Sequence, residues 1–68
     1  MILEGIVAYK KRGAVDLMEV VAIEQLETTS RDGWNGWNYR FMLRCGGNAV
    51  LFIRDDVDPI DLWKRCHV

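Results

Sequence analysis

Apolar and polar residues alternate most clearly from Trp37 to Cys45, where Trp37, Tyr39, Phe41, Leu43 and Cys45 interleave with Asn38, Arg40, Met42 and Arg44. A period of two is the signature of a strand with one buried face. The aromatic set turns inward, and Arg40 and Arg44 turn to solvent. Gly46-Gly47-Asn48 then reverses the chain, because glycine and asparagine adopt the left-handed conformations of tight turns. Ala49–Ile53 is an unbroken apolar run, as in a strand covered on both faces. Strands over 37–45 and 49–54 therefore form a hairpin.

Two earlier runs are less regular. Over residues 2–9, Ile2, Ile6 and Ala8 share one strand face, and Leu3, Val7 and Tyr9 share the other. Lys10-Lys11-Arg12-Gly13 ends that pattern. Residues 15–29 carry two signals. Val20, Val21, Ile23, Thr28 and Thr29 favour a strand. Asp16-x-x-Glu19 resembles a capping box, and Leu17, Met18, Ala22, Gln25 and Leu26 are good helix formers. On a helical wheel, however, Glu19, Glu24, Gln25 and Glu27 scatter around the axis. The strand is the preferred reading, with a helix over 16–27 as the alternative.

The tail is helical in pattern. Asp58-Pro59 supplies an N-cap followed by proline at the first helical position, and Asp61 adds negative charge to the first turn. Ile60, Trp63 and His67 form a stripe, and Asp61 and Arg65 an i,i+4 pair. A helix over 59–66 is too short to persist alone in water, so Trp63 is expected to dock it on the sheet. The fold class is α+β, mainly antiparallel β, in a single domain over residues 1–68. Its layout is a four-stranded meander or partial SH3-like barrel with a short C-terminal helix; the alternative is a β-α-β-β-α two-layer sandwich. Similarity at the level of architecture carries no function.

Composition narrows the functional classes. The 68 residues are 50% apolar and 28% charged, the balance of a folded domain. A net charge of −1 excludes a strongly basic nucleic-acid binder and a polyacidic mimic. Residues 1–54 hold seven basic and six acidic groups, a net of +1, and residues 55–68 a net of −2. A chain this short buries only about 60% of its unfolded surface, so self-association, as a homodimer or larger homo-oligomer, is expected. The apolar runs fall short of the ~18 residues of a membrane span, and the N-terminus lacks the pattern of a secretory signal. Cys45 and Cys66 read as free thiols of a cytoplasmic protein, with one disulfide as the alternative.

Candidate chemistry concentrates in Ser30-Arg31-Asp32-Gly33-Trp34-Asn35-Gly36-Trp37-Asn38, which holds two hairpin-type dipeptides and two tryptophans. Trp is enriched at binding hot spots. The candidate partner-binding residues are Arg31, Trp34, Asn35, Trp37, Arg40 and Arg44. The competing role for Trp37 is to begin a strand and fill the core, and for Trp34 to fold over its own loop. Lys10, Lys11 and Arg12 with Trp34 form a candidate nucleic-acid contact, since basic groups engage phosphates while an indole stacks on a base. Glu19, Glu24 and Glu27 would neutralise part of such a patch. A small-ligand pocket under Trp34 and Trp37 is a third class.

Metal and catalytic motifs are weak. Asp55-Asp56-x-Asp58-x-x-Asp61 lacks the glycine and the distant glutamate of a calcium loop. Cys45, Cys66 and His67 fit no zinc spacing. One serine and one histidine, at 30 and 67, suggest no nucleophile–base pair. No metal, cofactor or enzymatic activity is expected. The leading expectation is a small non-catalytic protein-interaction module, an adaptor, inhibitor or accessory protein; the runner-up is a nucleic-acid-binding module.

Overall fold

The computed structural model describes residues 1–8, 11–31 and 33–67. They form β1 (Ile2–Ala8), β2 (Lys11–Asp16), a single 3-10 turn (Leu17–Glu19), β3 (Val20–Arg31), β4 (Trp34–Leu43), β5 (Asn48–Arg54) and α1 (Pro59–Cys66). The strands make one open antiparallel sheet in the order β2-β1-β5-β4-β3. The expected strand content and C-terminal helix are both present.

Five strands replace the expected four. Lys11–Asp16 continues as an extended arm because it pairs with β1, Leu3 facing Val15 and Gly5 facing Gly13. The expected single strand over 15–29 is interrupted at Leu17–Glu19 and resumes as β3, so the alternative helix over 16–27 is absent. The capping signal at Asp16 was nevertheless real: its carboxylate accepts the Met18 N–H at 3.0 Å, serving one 3-10 turn instead of a long helix. β3 and β2, consecutive in the chain, stand at opposite edges of the sheet. The turn between them is tied to both halves of the sheet. The Leu17 N–H donates to Met1 O at 2.9 Å, and the Arg44 N–H donates to Glu19 O at 2.8 Å.

The third strand begins at Trp34 instead of 37 and stops at Leu43 instead of 45. Asn35-Gly36 therefore lies within β4. The β3–β4 reversal falls between Arg31 and Trp34, which face each other, with Gly33 at φ +80°. Cys45 sits in the β4–β5 connection, exposed rather than in a strand, where Gly46 takes φ +97°. Cys45 and Cys66 are unpaired thiols.

The core lies on one face, hereafter the inner face. Leu3, Val15, Val20, Tyr39, Phe41, Leu51 and Ile53 converge there around Leu17. Gly5 and Gly13, opposite each other, let the β1–β2 hairpin approach β5 closely: a Cβ on Gly5 would stand 2.7 Å from Phe52 O. α1 caps the inner face with Ile60, Leu62, Trp63 and Cys66. The Trp63 Nε1–H donates to Val20 O at 2.8 Å, fixing the helix to the first residue of β3. Asp58 caps α1 through the N–H groups of Ile60 and Asp61, at 3.1 and 3.2 Å, and Asp61 pairs with Arg65 at 2.9 Å. No described helix is long and apolar enough to cross a membrane.

Candidate functional site

Alternation along β4 turns Trp34, Gly36, Asn38, Arg40 and Met42 to the outer face. Trp37 has the opposite parity and packs against the inner core. The two tryptophans of the segment thus lie on different faces, and no pocket forms beneath both. Trp34 keeps 51% of its surface exposed.

The surroundings of Trp34 follow from one glycine. Gly36 lies between Thr29 of β3 and Arg54 of β5, and a Cβ there would collide with the Ile53 carbonyl oxygen. The same Cβ would stand 2.8 Å from Phe52 Cζ, so the Phe52 ring occupies the space over the bare backbone. Phe52 is only 1% exposed although it points away from the core, facing Ile6 on one side and Asn38 on the other. Asn38, also buried, donates from Nδ2 to Glu27 Oε1 at 2.9 Å. That bond satisfies a polar group that burial would otherwise penalise. Arg54, two residues beyond Phe52, lays its guanidinium over the Trp34 ring at 4.3 Å from the centroid. It also pairs with Asp56 at 3.0 Å.

These side chains enclose an open cleft of about 330 Å³ across four strands. Arg12 of β2 and Glu4 and Ile6 of β1 line one side; Phe52 forms the middle; Arg54 and Trp34 line the other. Arg31 faces Trp34 from β3, on the opposite flank from Arg54. Its Nε is buried and has no hydrogen-bond partner among the described residues.

The candidate residues therefore separate. Arg31, Trp34 and Arg12 share the outer face. Asn35 lies on β4 beside Trp34, but its side chain accepts from Ser30 Oγ at 2.6 Å at the hairpin end. Arg40, on the outer face, donates to Glu24 at 2.7 Å. Arg44 is engaged beyond the end of β4 by Glu19 at 3.7 Å and by Met18 O at 3.4 Å. Neither lines the cleft. Lys11 is exposed on the edge strand β2, and Lys10 lies outside the described residues. Arg54 and Phe52 are the residues that sequence reasoning missed. The signal was present in the outer-facing parity they share, but their neighbours depend on which strands pair.

The other candidate clusters do not assemble. Among the described residues no group of three His, Cys, Asp or Glu side chains is placed to hold a metal ion. His67 Nε2 lies 3.1 Å from Leu17 O, and its ring stands edge-on to Trp63 at 5.7 Å. Among the described residues, Tyr39 on the inner face is the group whose ionisation is displaced by its surroundings. Burial raises its phenol above the ordinary value of 10.0; the Asp58 charge adds to this, and a hydrogen bond from Gln25 offsets part of it. Compared with known proteins, the chain matches no family model, no curated protein and no solved structure.

Proposed function

We propose that this chain is a non-catalytic protein-interaction module whose binding surface is the outer face of the sheet at Trp34. One observation carries the reading. A half-exposed tryptophan stands at the lip of a 330 Å³ cleft, on a face that neither α1 nor the 3-10 turn covers. Water around an exposed indole is released when a partner covers it, which is why Trp anchors hot spots. Self-association is part of the proposal, because Ile2 and Val50 are also exposed on this face and the domain is small.

Affinity capture from the native host with the wild-type chain and with Trp34→Ala tests the reading, with Arg40→Ala as a control outside the cleft. Loss of captured proteins with Trp34→Ala alone supports it. Identical captures by all three defeat it. A nucleic-acid role is supported by Arg12, Arg31 and Arg54 around an indole, and opposed by the engagement of Arg40 and Arg44 with glutamates.

A further inference from the structure

We infer that β2 is the seam of a homodimer, in which two copies pair antiparallel about Ala14 and Arg12 of each faces Asp16 of the other. The inference rests on the self-association proposed above and places it on a sheet edge, apart from Trp34. The backbone sets the register. The Leu17 N–H donates to Met1 O, and Ile2 faces Asp16. Along an antiparallel ladder, residues that exchange hydrogen bonds alternate with residues that do not. Leu3 with Val15 and Gly5 with Gly13 are therefore the bonded pairs of β1 and β2. The N–H and C=O groups of Arg12 and Ala14, and the N–H of Asp16, point away from β1, on a side where no described strand pairs. Such a row of groups is a template for another strand.

Charge selects a second copy as the occupant. Charged residues usually blunt an edge. In an antiparallel self-pairing centred on Ala14, however, Arg12 and Asp16 stand opposite each other twice, and the two small Ala14 side chains meet at the two-fold axis. Slipping the register toward the start of β2 first loses both ion pairs and then sets Arg12 against Arg12. Arg12 is exposed and forms no ion pair among the described residues. Asp16 accepts the Met18 N–H and lies 3.6 Å from the N-terminal ammonium, and both contacts use the same oxygen, Oδ1. The opposite edge is less suited. β3 shifts register after Val20 and after Gln25, which bends its row of edge groups, and its Glu24 and Glu27 are bonded within the sheet to Arg40 and Asn38. The axis of an antiparallel seam runs through the sheet, so both clefts open on the same side of the joined sheet.

Sedimentation equilibrium of the full chain tests the seam, carried up to about 1 mM because a ladder this short buries less than a standard interface. The wild-type mass is expected to rise with concentration from 7.9 kDa toward twice that value. Ala14→Pro removes an N–H that faces away from β1, a place where an edge strand tolerates proline, and is expected to hold the chain monomeric. Arg12→Glu sets like charges together at both ends of the seam and is expected to weaken association about tenfold. Mixing Arg12→Glu with Asp16→Lys brings unlike charges together again and is expected to restore it as a heterodimer. Dispersed amide spectra report that each variant is folded; if Ala14→Pro or Asp16→Lys is not, Arg12→Glu against wild type carries the test. Trp34→Ala is expected to dimerise as wild type does. A monomeric wild type at the highest concentration overturns the seam, as does undiminished association of folded Ala14→Pro or of Arg12→Glu. Loss of association in Trp34→Ala alone overturns it also, in favour of contact through the outer face. In each case the capture comparison still judges the Trp34 surface separately.

Discussion

The inner and outer faces of the paired strands β4 and β5 show two kinds of burial. On the inner face, Tyr39 and Phe41 enter a core closed by Leu17 and α1, with Trp37 and Leu43 packed at its margin. On the outer face, Phe52 of β5 is as inaccessible as Phe41, although Leu17 and the α1 residues pack with the inner cluster and not with it. Its cover is lateral, from cross-strand neighbours and from the gap left by Gly36. Inner burial is a matter of layers; outer burial is a matter of neighbours. A surface built in the second way can hold an apolar floor and still remain open to a partner.

The largest effect expected is on the inner face. A domain of this size has total stability on the order of 3–10 kcal/mol. Phe41→Ala removes a fully buried ring and is expected to cost about 3–5 kcal/mol, leaving much of the protein unfolded in a urea or thermal melt. Phe52→Ala tests the comparison directly. Its site opens onto the cleft and collapses more easily, so the cost is expected at the low end, about 3 kcal/mol. A greater loss for Phe52→Ala than for Phe41→Ala would break the distinction between the faces.

Gly36→Ala comes next. The added methyl meets backbone on β5, which is not free to retreat as a side chain is, and a cost of about 1–3 kcal/mol is expected in the same melts. Trp63→Phe removes the donor to Val20 O while keeping most of the apolar contact, and about 1 kcal/mol is expected. Trp34→Ala is expected to cost under about 1 kcal/mol, because the exposed indole contributes little beyond its contact with Arg54. A loss as large as that of Phe41→Ala would mean that Trp34 serves the fold and not a partner.

The smallest effect is a slope with pH. Tyr39 is held neutral in the folded chain, with its pKa above the ordinary 10.0, so the folded state keeps its proton where the unfolded state has lost it. That contribution is complete below about pH 10 and is lost as pH rises through the folded value. Urea midpoints measured upward from pH 9 are expected to fall once pH passes about 10, the Tyr39 part of the fall ending above the folded value, and Tyr39→Phe is expected to remove that part of the slope. An unchanged slope would show that the inner face does not shield that hydroxyl.

Elements specified by adjacent residues were legible in advance. The alternation through Phe41, the turn at Gly46 and the cap at Asp58-Pro59 each act within a few residues, and each appears where expected. The segment over 15–29 was mixed because it serves three purposes. Val15 packs from an edge strand, Leu17 plugs the core from a 3-10 turn, and Val20 opens the opposite edge. A single periodicity cannot represent that sequence of roles. Lys10–Gly13 read as a break, and the charged Lys11 and Arg12 nonetheless extend because they stand on an edge strand facing water.

The sequence alone determined where the chain extends, where it turns and where its last helix starts, since dihedral preference, side-chain parity and capping are properties of near neighbours. Only the tertiary structure decided which strands lie side by side. The pairing of Ile6 with Phe52 joins distant parts of the chain, and the contact of Arg54 with Trp34 spans two strands. Such meetings leave no local mark, because they are selected by how the whole set of apolar faces closes on itself. Whether an indole ended in the core or at the lip of a cleft was settled by parity together with the position of the helix, and the cleft exists only because strands from both ends of the sequence border it.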